Sequence, residues 1–191
     1  MTDVASVLFQ REDIHRRVEE LGRAITGDYE GREPVLVSVL KGGTMFLADL
    51  FREIDLGVRV EFMAISRFGG ADESLGRVRI LMDVSEDLDG CDVILVEDIV
   101  DTGLTLSYLL STLRARGVAS LEVCTLLDKS ARRIVPMAVR YSGFDCPDRF
   151  VVGYGLDFRE RYRNLGDILA VEDMAALEAD PDALLALLAA R

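Results

Sequence analysis

The stretch VILVEDIVDTGLT, residues 93–105, decides how this chain is read. Four apolar residues run into two adjacent acids, Glu97 and Asp98. Two more apolar residues follow, then Asp101-Thr102-Gly103-Leu104-Thr105. Carboxylates at the mouth of a buried strand are costly unless a cation or a hydrogen-bond donor meets them. The turn after them is small and hydroxyl-rich, and it opens a helix. Backbone N–H groups at a helix N-terminus, with hydroxyls beside them, suit a phosphate. Glu97 and Asp98 suit vicinal sugar hydroxyls and can hold Mg²⁺ directly or through water. A single acid here would read as an ordinary helix cap. The whole constellation points to a phosphorylated sugar with a metal.

Composition sets the outer bounds. The chain has 191 residues, half of them hydrophobic, which is enough for one sizeable core. The formal net charge of −12 argues against nucleic acid or an anionic membrane as the main partner. A small anionic substrate needs only a few local cations or a metal. Cys91, Cys124 and Cys146 are widely spaced with no CxxC pattern. They read as reduced thiols in a cytoplasmic protein. The stretch MTDVASVLFQREDIHRR lacks the pattern of a signal peptide, and no run reaches membrane-spanning length.

Elsewhere, strands, glycine-bearing turns and helices alternate. Ile14, Val18, Leu21 and Ile25 keep helical spacing, and Gly27 is the expected stop. His15, the only histidine, falls among charged residues beside that stripe, so no histidine triad or cluster can be built. Residues 34–40, 58–66, 78–84, 92–98 and 121–129 read as strands, and 150–158 as a short strand and a bend. Leu47, Leu50, Phe51 and Ile54 share one helical face. Leu106, Leu109, Leu110 and Leu113 share another, which Gly117 ends. RFGGADESLG, residues 67–76, reads as a mobile polar lid. DPDALLALLAAR predicts a final helix with Asp180 as N-cap and Pro181 at its first position. The pattern favours an α/β fold with a mainly parallel sheet and ligands at the strands' carboxyl ends.

Other phosphate motifs are absent: there is no GxxxxGK[ST], and no GxGxxG after a strand. Asp101-Thr102-Gly103 also matches aspartic proteases, but those need a paired acid in an all-β setting, and a strong helix follows here. The 93–105 stretch resembles the phosphoribosyl-diphosphate (PRPP) motif of type I phosphoribosyltransferases. SVLKGG (38–43), LLDKS (126–130) and PDRFVVGYGLDFRERYRNL (147–165) resemble the 6-oxopurine branch, the hypoxanthine-guanine phosphoribosyltransferases. The resemblance runs in order from about residue 5 to about residue 171. It implies the type I phosphoribosyltransferase fold: a central, mainly parallel sheet flanked by helices, with a small hood from the N-terminal and 145–170 segments. The chain reads as one domain across residues 1–191, with residues 171–191, beyond the resemblance, an extra C-terminal helical tail for packing or oligomer contact.

The resemblance carries roles onto matching positions. Glu97 and Asp98 would contact ribose hydroxyls and the Mg²⁺ shell. Asp101, Thr102, Gly103, Leu104 and Thr105 would wrap the 5′-phosphate, with Asp101 as the catalytic group near N7 of the purine. Leu40, Lys41 and Gly42 would form the loop that meets pyrophosphate, often through a non-proline cis peptide at Leu40-Lys41, and Arg163 would hold pyrophosphate. Lys129 would read the oxygen at C6, Phe150 would stack on the base, and the Val151 backbone would read its edge. Asp157 would sit by the base and bind a second Mg²⁺. Implied partners are PRPP and a 6-oxopurine in a homodimer or homotetramer, with neither nucleic acid nor membrane. The rivals are a regulator of the same fold that senses PRPP or nucleotides, and a transferase that prefers xanthine. Intact Asp101 and the acidic charge oppose the regulator. Two features depart from the family: Arg67-Phe68 replaces a usual Ser-Tyr in the lid, and the Ala/Leu-rich tail is longer.

Overall fold

The structure is a computed structural model and describes residues 4–68 and 77–185. Nine strands and four helices are defined among these. They run β1 (Ala5–Phe9), α1 (Arg11–Asp28), β2 (Val35–Leu40), α2 (Thr44–Leu50), β3 (Arg59–Phe68), β4 (Arg77–Met82), β5 (Asp92–Val100), α3 (Leu104–Arg114), β6 (Ser120–Asp128), β7 (Tyr141–Asp145), β8 (Val151–Val152), β9 (Ile168–Val171) and α4 (Met174–Ala179). Six strands form the main sheet in the order β4-β3-β2-β5-β6-β7. All its pairings are parallel except the antiparallel β3–β4 edge.

Strand β5 is central because both its faces are apolar. Val93, Ile94, Leu95 and Val96 are fully buried. Ile94 and Val96 pack with α1 and α2 through Ile14, Val18, Phe46 and Leu47. Val93 and Leu95 pack with Leu106, Leu109 and Leu113 of α3. A continuous apolar run is what a strand covered on both faces requires. Each such side chain contributes about 1.5–3 kcal/mol of burial.

The connections create the cleft. From β2 the chain turns through α2 to β3 on one side, and from β5 it turns through α3 to β6 on the other. Neighbouring strands that depart in opposite directions open a crevice at their carboxyl ends. The β2–β5 pairing reaches Ser38↔Val96, so Glu97 and the residues after it border that crevice. Above it stands the expected hood, an antiparallel sheet of order β1-β9-β8. Its separate core includes Val152, Phe158, Tyr162, Leu165 and Leu169.

Several expectations are corrected. Helix α1 continues through Gly27 to Asp28, with Tyr29 as its C-cap, because Ile25 and Tyr29 both remain buried. On α2, Phe46 takes the buried place expected of Phe51, which is 36% exposed beyond the helix end. Strand β5 runs two residues past Asp98, since Ile99 and Val100 keep pairing with Leu127 and Asp128 of β6. Arg67 and Phe68 belong to β3, paired with Val78 and Arg77. The rest of the expected lid, residues 69–76, lies outside the described residues. The last helix among the described residues is α4, capped by Asp173, whose side chain accepts the Ala176 N–H at 2.9 Å, and residues 186–191 of the expected final helix lie outside the described residues. Asp180 ends that helix instead of starting one, and residues 181–185 are turns.

Candidate active site

The crevice between β2 and β5 holds about 520 Å³ and is lined by residues of β2, β5, the β5–α3 turn and the hood. Its floor is the quoted stretch. Gly103 has φ +83°, a left-handed conformation that glycine adopts without steric cost. A Cβ there would also stand 2.8 Å from Met137 Cε and 2.9 Å from Arg133 Cδ. This turn starts α3, so the first N–H groups of the helix face the crevice without intrahelical partners. The Ile134 N–H donates to the Thr102 carbonyl at 2.9 Å, bracing the turn from the segment after β6. Thr102, Gly103 and Thr105 line the crevice, whereas the Leu104 side chain is exposed.

Glu97, Asp98 and Asp101 line the same space. Gly42 packs against this edge, and a Cβ on it would lie 1.7 Å from Asp98 Oδ2. The Leu40–Lys41 peptide just before it is cis, as the resemblance implied. Leu40 and Gly42 line the crevice. The Lys41 side chain is 68% exposed and pairs with Glu160 at 2.6 Å.

At one end stand the groups expected to read a base. Lys129 follows β6, and its side chain is only 8% exposed. Its Nζ donates to the Arg149 carbonyl at 2.7 Å and lies 3.8 Å from Asp101 Oδ2. Phe150 presents an exposed ring, held edge-on to Phe158 at 6.1 Å between centroids. Val151 and Lys129 share the lining with it. Arg132, which sequence reasoning missed, brings Nε within 2.8 Å of Asp101 Oδ1 and Nη1 within 2.7 Å of Asp148.

At the other end the hood sends down residues 153–163. Gly155 has φ +98°, and a Cβ on it would lie 2.2 Å from the Gly42 carbonyl oxygen, so the two glycines let the segments touch. Asp157 lines the crevice, with both oxygens engaged. Oδ1 lies 2.8 Å from Arg163 Nη2, and Oδ2 accepts the Glu160 N–H at 2.8 Å. Arg163 Nη1 donates to the Gly155 carbonyl at 2.7 Å, and its buried Nε has no hydrogen-bond partner. Arg163 stands behind Asp157, outside the lining itself. Glu160 was also missed by sequence reasoning. The alternating charges of DFRERYR were the available signal for ion pairing.

The donors available to a metal are hard carboxylate oxygens on the crevice wall, which suit Mg²⁺. Among the described residues no cluster of three acidic, histidine or cysteine side chains forms a closed metal cage. Such an arrangement fits an ion held by one or two carboxylates together with substrate phosphates.

Residues 6–159 match the phosphoribosyl transferase domain family. The chain is 45% identical over 163 residues to the hypoxanthine-guanine phosphoribosyltransferase of Streptococcus thermophilus, covering 85% of this chain and 91% of that protein. It is equally similar to the bifunctional protein TilS/HprT of Listeria innocua, of which it spans 25%. A solved hypoxanthine phosphoribosyltransferase from Staphylococcus aureus superposes with a TM-score of 0.86 at 43% identity, covering 93% of this chain and 95% of that one.

Proposed function

Because the chain belongs to the phosphoribosyl transferase domain family, we propose that it is a purine-salvage enzyme. It transfers the 5-phosphoribosyl group of PRPP to hypoxanthine or guanine, giving the nucleotide and pyrophosphate. The observation that carries this reading is convergence on one crevice. A helix N-terminus suited to phosphate, an acid pair suited to ribose and a buried lysine suited to a carbonyl acceptor share its wall.

The residues divide the work by position. N–H groups of the turn after Asp101, with the Thr102 and Thr105 hydroxyls, bind the 5′-phosphate. Glu97 and Asp98 orient the ribose. Lys129, a donor only, meets the oxygen at C6, and Phe150 stacks on the ring. Asp101 takes the purine proton or opposes the positive charge that grows on the base. Lys41 and Arg163 hold the departing pyrophosphate. Glu97 and Asp98 would hold one Mg²⁺ and Asp157 a second, each together with substrate oxygens, and the metal would supply charge neutralisation on the diphosphate.

The assembly is a homodimer or homotetramer. All three cysteines are free thiols, which suits the cytoplasm. No helix among the described residues is long and apolar enough to cross a membrane.

The test is turnover with PRPP and Mg²⁺ against hypoxanthine, guanine, xanthine, adenine and uracil. Hypoxanthine or guanine should be used, adenine should be a very poor substrate, and excess chelator should abolish the rate. Preference for xanthine, or full activity in chelator, would overturn the corresponding part.

A further inference from the structure

The two cations at the diphosphate end share one carboxylate. Glu160 Oε2 lies 2.6 Å from Lys41 Nζ, and Oε1 lies 3.2 Å from Arg163 Nη2. Lys41 is 119 residues away in sequence, in the turn after β2 that touches the hood where Gly42 meets Gly155, so this contact ties that turn to the hood. The local backbone is committed to it. Arg159 and Glu160 have φ of +52° and +64°, left-handed values that non-glycine residues adopt at a cost. The Glu160 N–H is pinned by Asp157, a residue of the crevice wall.

We propose that Glu160 is a positioning residue that stands in for the leaving group: its carboxylate bridges Lys41 and Arg163 until pyrophosphate displaces it, and recaptures both cations as pyrophosphate departs. This rests on Lys41 and Arg163 meeting the diphosphate, as read above. A carboxylate with two oxygens spaced to meet two cations imitates one face of a phosphate. The cations therefore stay near their working positions in the empty site, and a bound diphosphate competes with an internal anion. Both Lys41 and Glu160 are well exposed. Exchange is accordingly cheap, and the competition is modest.

The variant Glu160→Gln keeps size and hydrogen bonding and removes the charge. Inhibition by pyrophosphate with Mg²⁺, and the KM for PRPP, should both tighten by roughly two- to tenfold. The KM for hypoxanthine should stay unchanged. A merely structural Glu160 would move all three constants together or none. Unchanged or weaker pyrophosphate inhibition would overturn the proposal. If Glu160→Gln fails to fold, Glu160→Asp carries the test. Its shorter arm cannot bridge both cations and should tighten pyrophosphate inhibition in the same direction, and no change there would overturn the proposal as well. Absence of wild-type turnover with every base would instead remove the transferase reading itself.

Discussion

The two ends of the crevice each hold a lysine, and the two are held in opposite ways. Lys129, at the base end, is buried to 8% exposure and fixed by a backbone carbonyl 2.7 Å away. Lys41, at the diphosphate end, is 68% exposed and tied to a side chain that is itself 62% exposed. A buried ammonium cannot turn to water, so whatever replaces its solvation must present acceptors. An exposed ammonium can exchange one anion for another at little cost. Under the proposed function, the base end would therefore discriminate, and the diphosphate end would bind and release.

The largest effect should come from Asp101, which borders the base end. Asparagine keeps its size but neither takes a proton nor opposes positive charge. Asp101→Asn should lower kcat by about 10²–10⁴-fold, with the KM for PRPP nearly unchanged because the backbone turn survives. Steady-state kinetics in both substrates measures this. A near-normal kcat would remove Asp101 from the chemistry and shift the contrast onto binding alone.

The discriminating role of Lys129 is open to a sharper test. Facing a 6-oxopurine, its ammonium makes a charge-assisted bond; facing adenine, it meets an amino donor. Lys129→Gln should reduce kcat/KM for hypoxanthine by about 2 kcal/mol, roughly 30-fold. It should cost any trace adenine activity far less, because the glutamine carbonyl accepts from an amino group. Both bases measured in both proteins decide it. Intact hypoxanthine use in the variant would show that Lys129 does not read C6.

The residues of the crevice floor were legible in the sequence, and the ion pairs that hold its side chains were not. Residues 93–105 carry their own structure: the apolar run dictates a doubly covered strand, and Gly103 dictates the left-handed turn. The lysine after β6 and the aromatic before β8 were found by their places in a motif. The partners that hold them, Arg132 to Asp101 and Arg149 to Lys129, depend on side-chain reach between distant segments, which no local pattern specifies. The short strands β1, β7 and β9 were missed for the same reason. β1 and β9 exist through pairing with each other across more than 150 residues, and β7 through β6. Gly27 misled as a helix stop because glycine only lowers propensity, and tertiary burial of Ile25 and Tyr29 outweighed it.

The smallest effect separates the two lysines most cleanly. Lys41→Gln removes one exposed cation from the diphosphate end. If pyrophosphate displaces Glu160 as proposed, the variant loses only the difference between two exposed contacts. That difference is about 1 kcal/mol, or roughly fivefold in the KM for PRPP at physiological salt. Its origin is Coulombic and solvent-screened, and the Debye length shrinks from about 8 Å to about 3 Å between 0.15 M and 1 M salt. The ratio of wild-type to variant KM should therefore collapse toward one as salt is raised. The corresponding ratio of kcat/KM for hypoxanthine with Lys129→Gln should hold nearly constant, because that ammonium is shielded from solvent ions. Both ratios can be measured in the same salt series. If they fell together, burial would not be what distinguishes the two ends. If the Lys41→Gln ratio held while that of Lys129→Gln fell, the division of labour would run the other way.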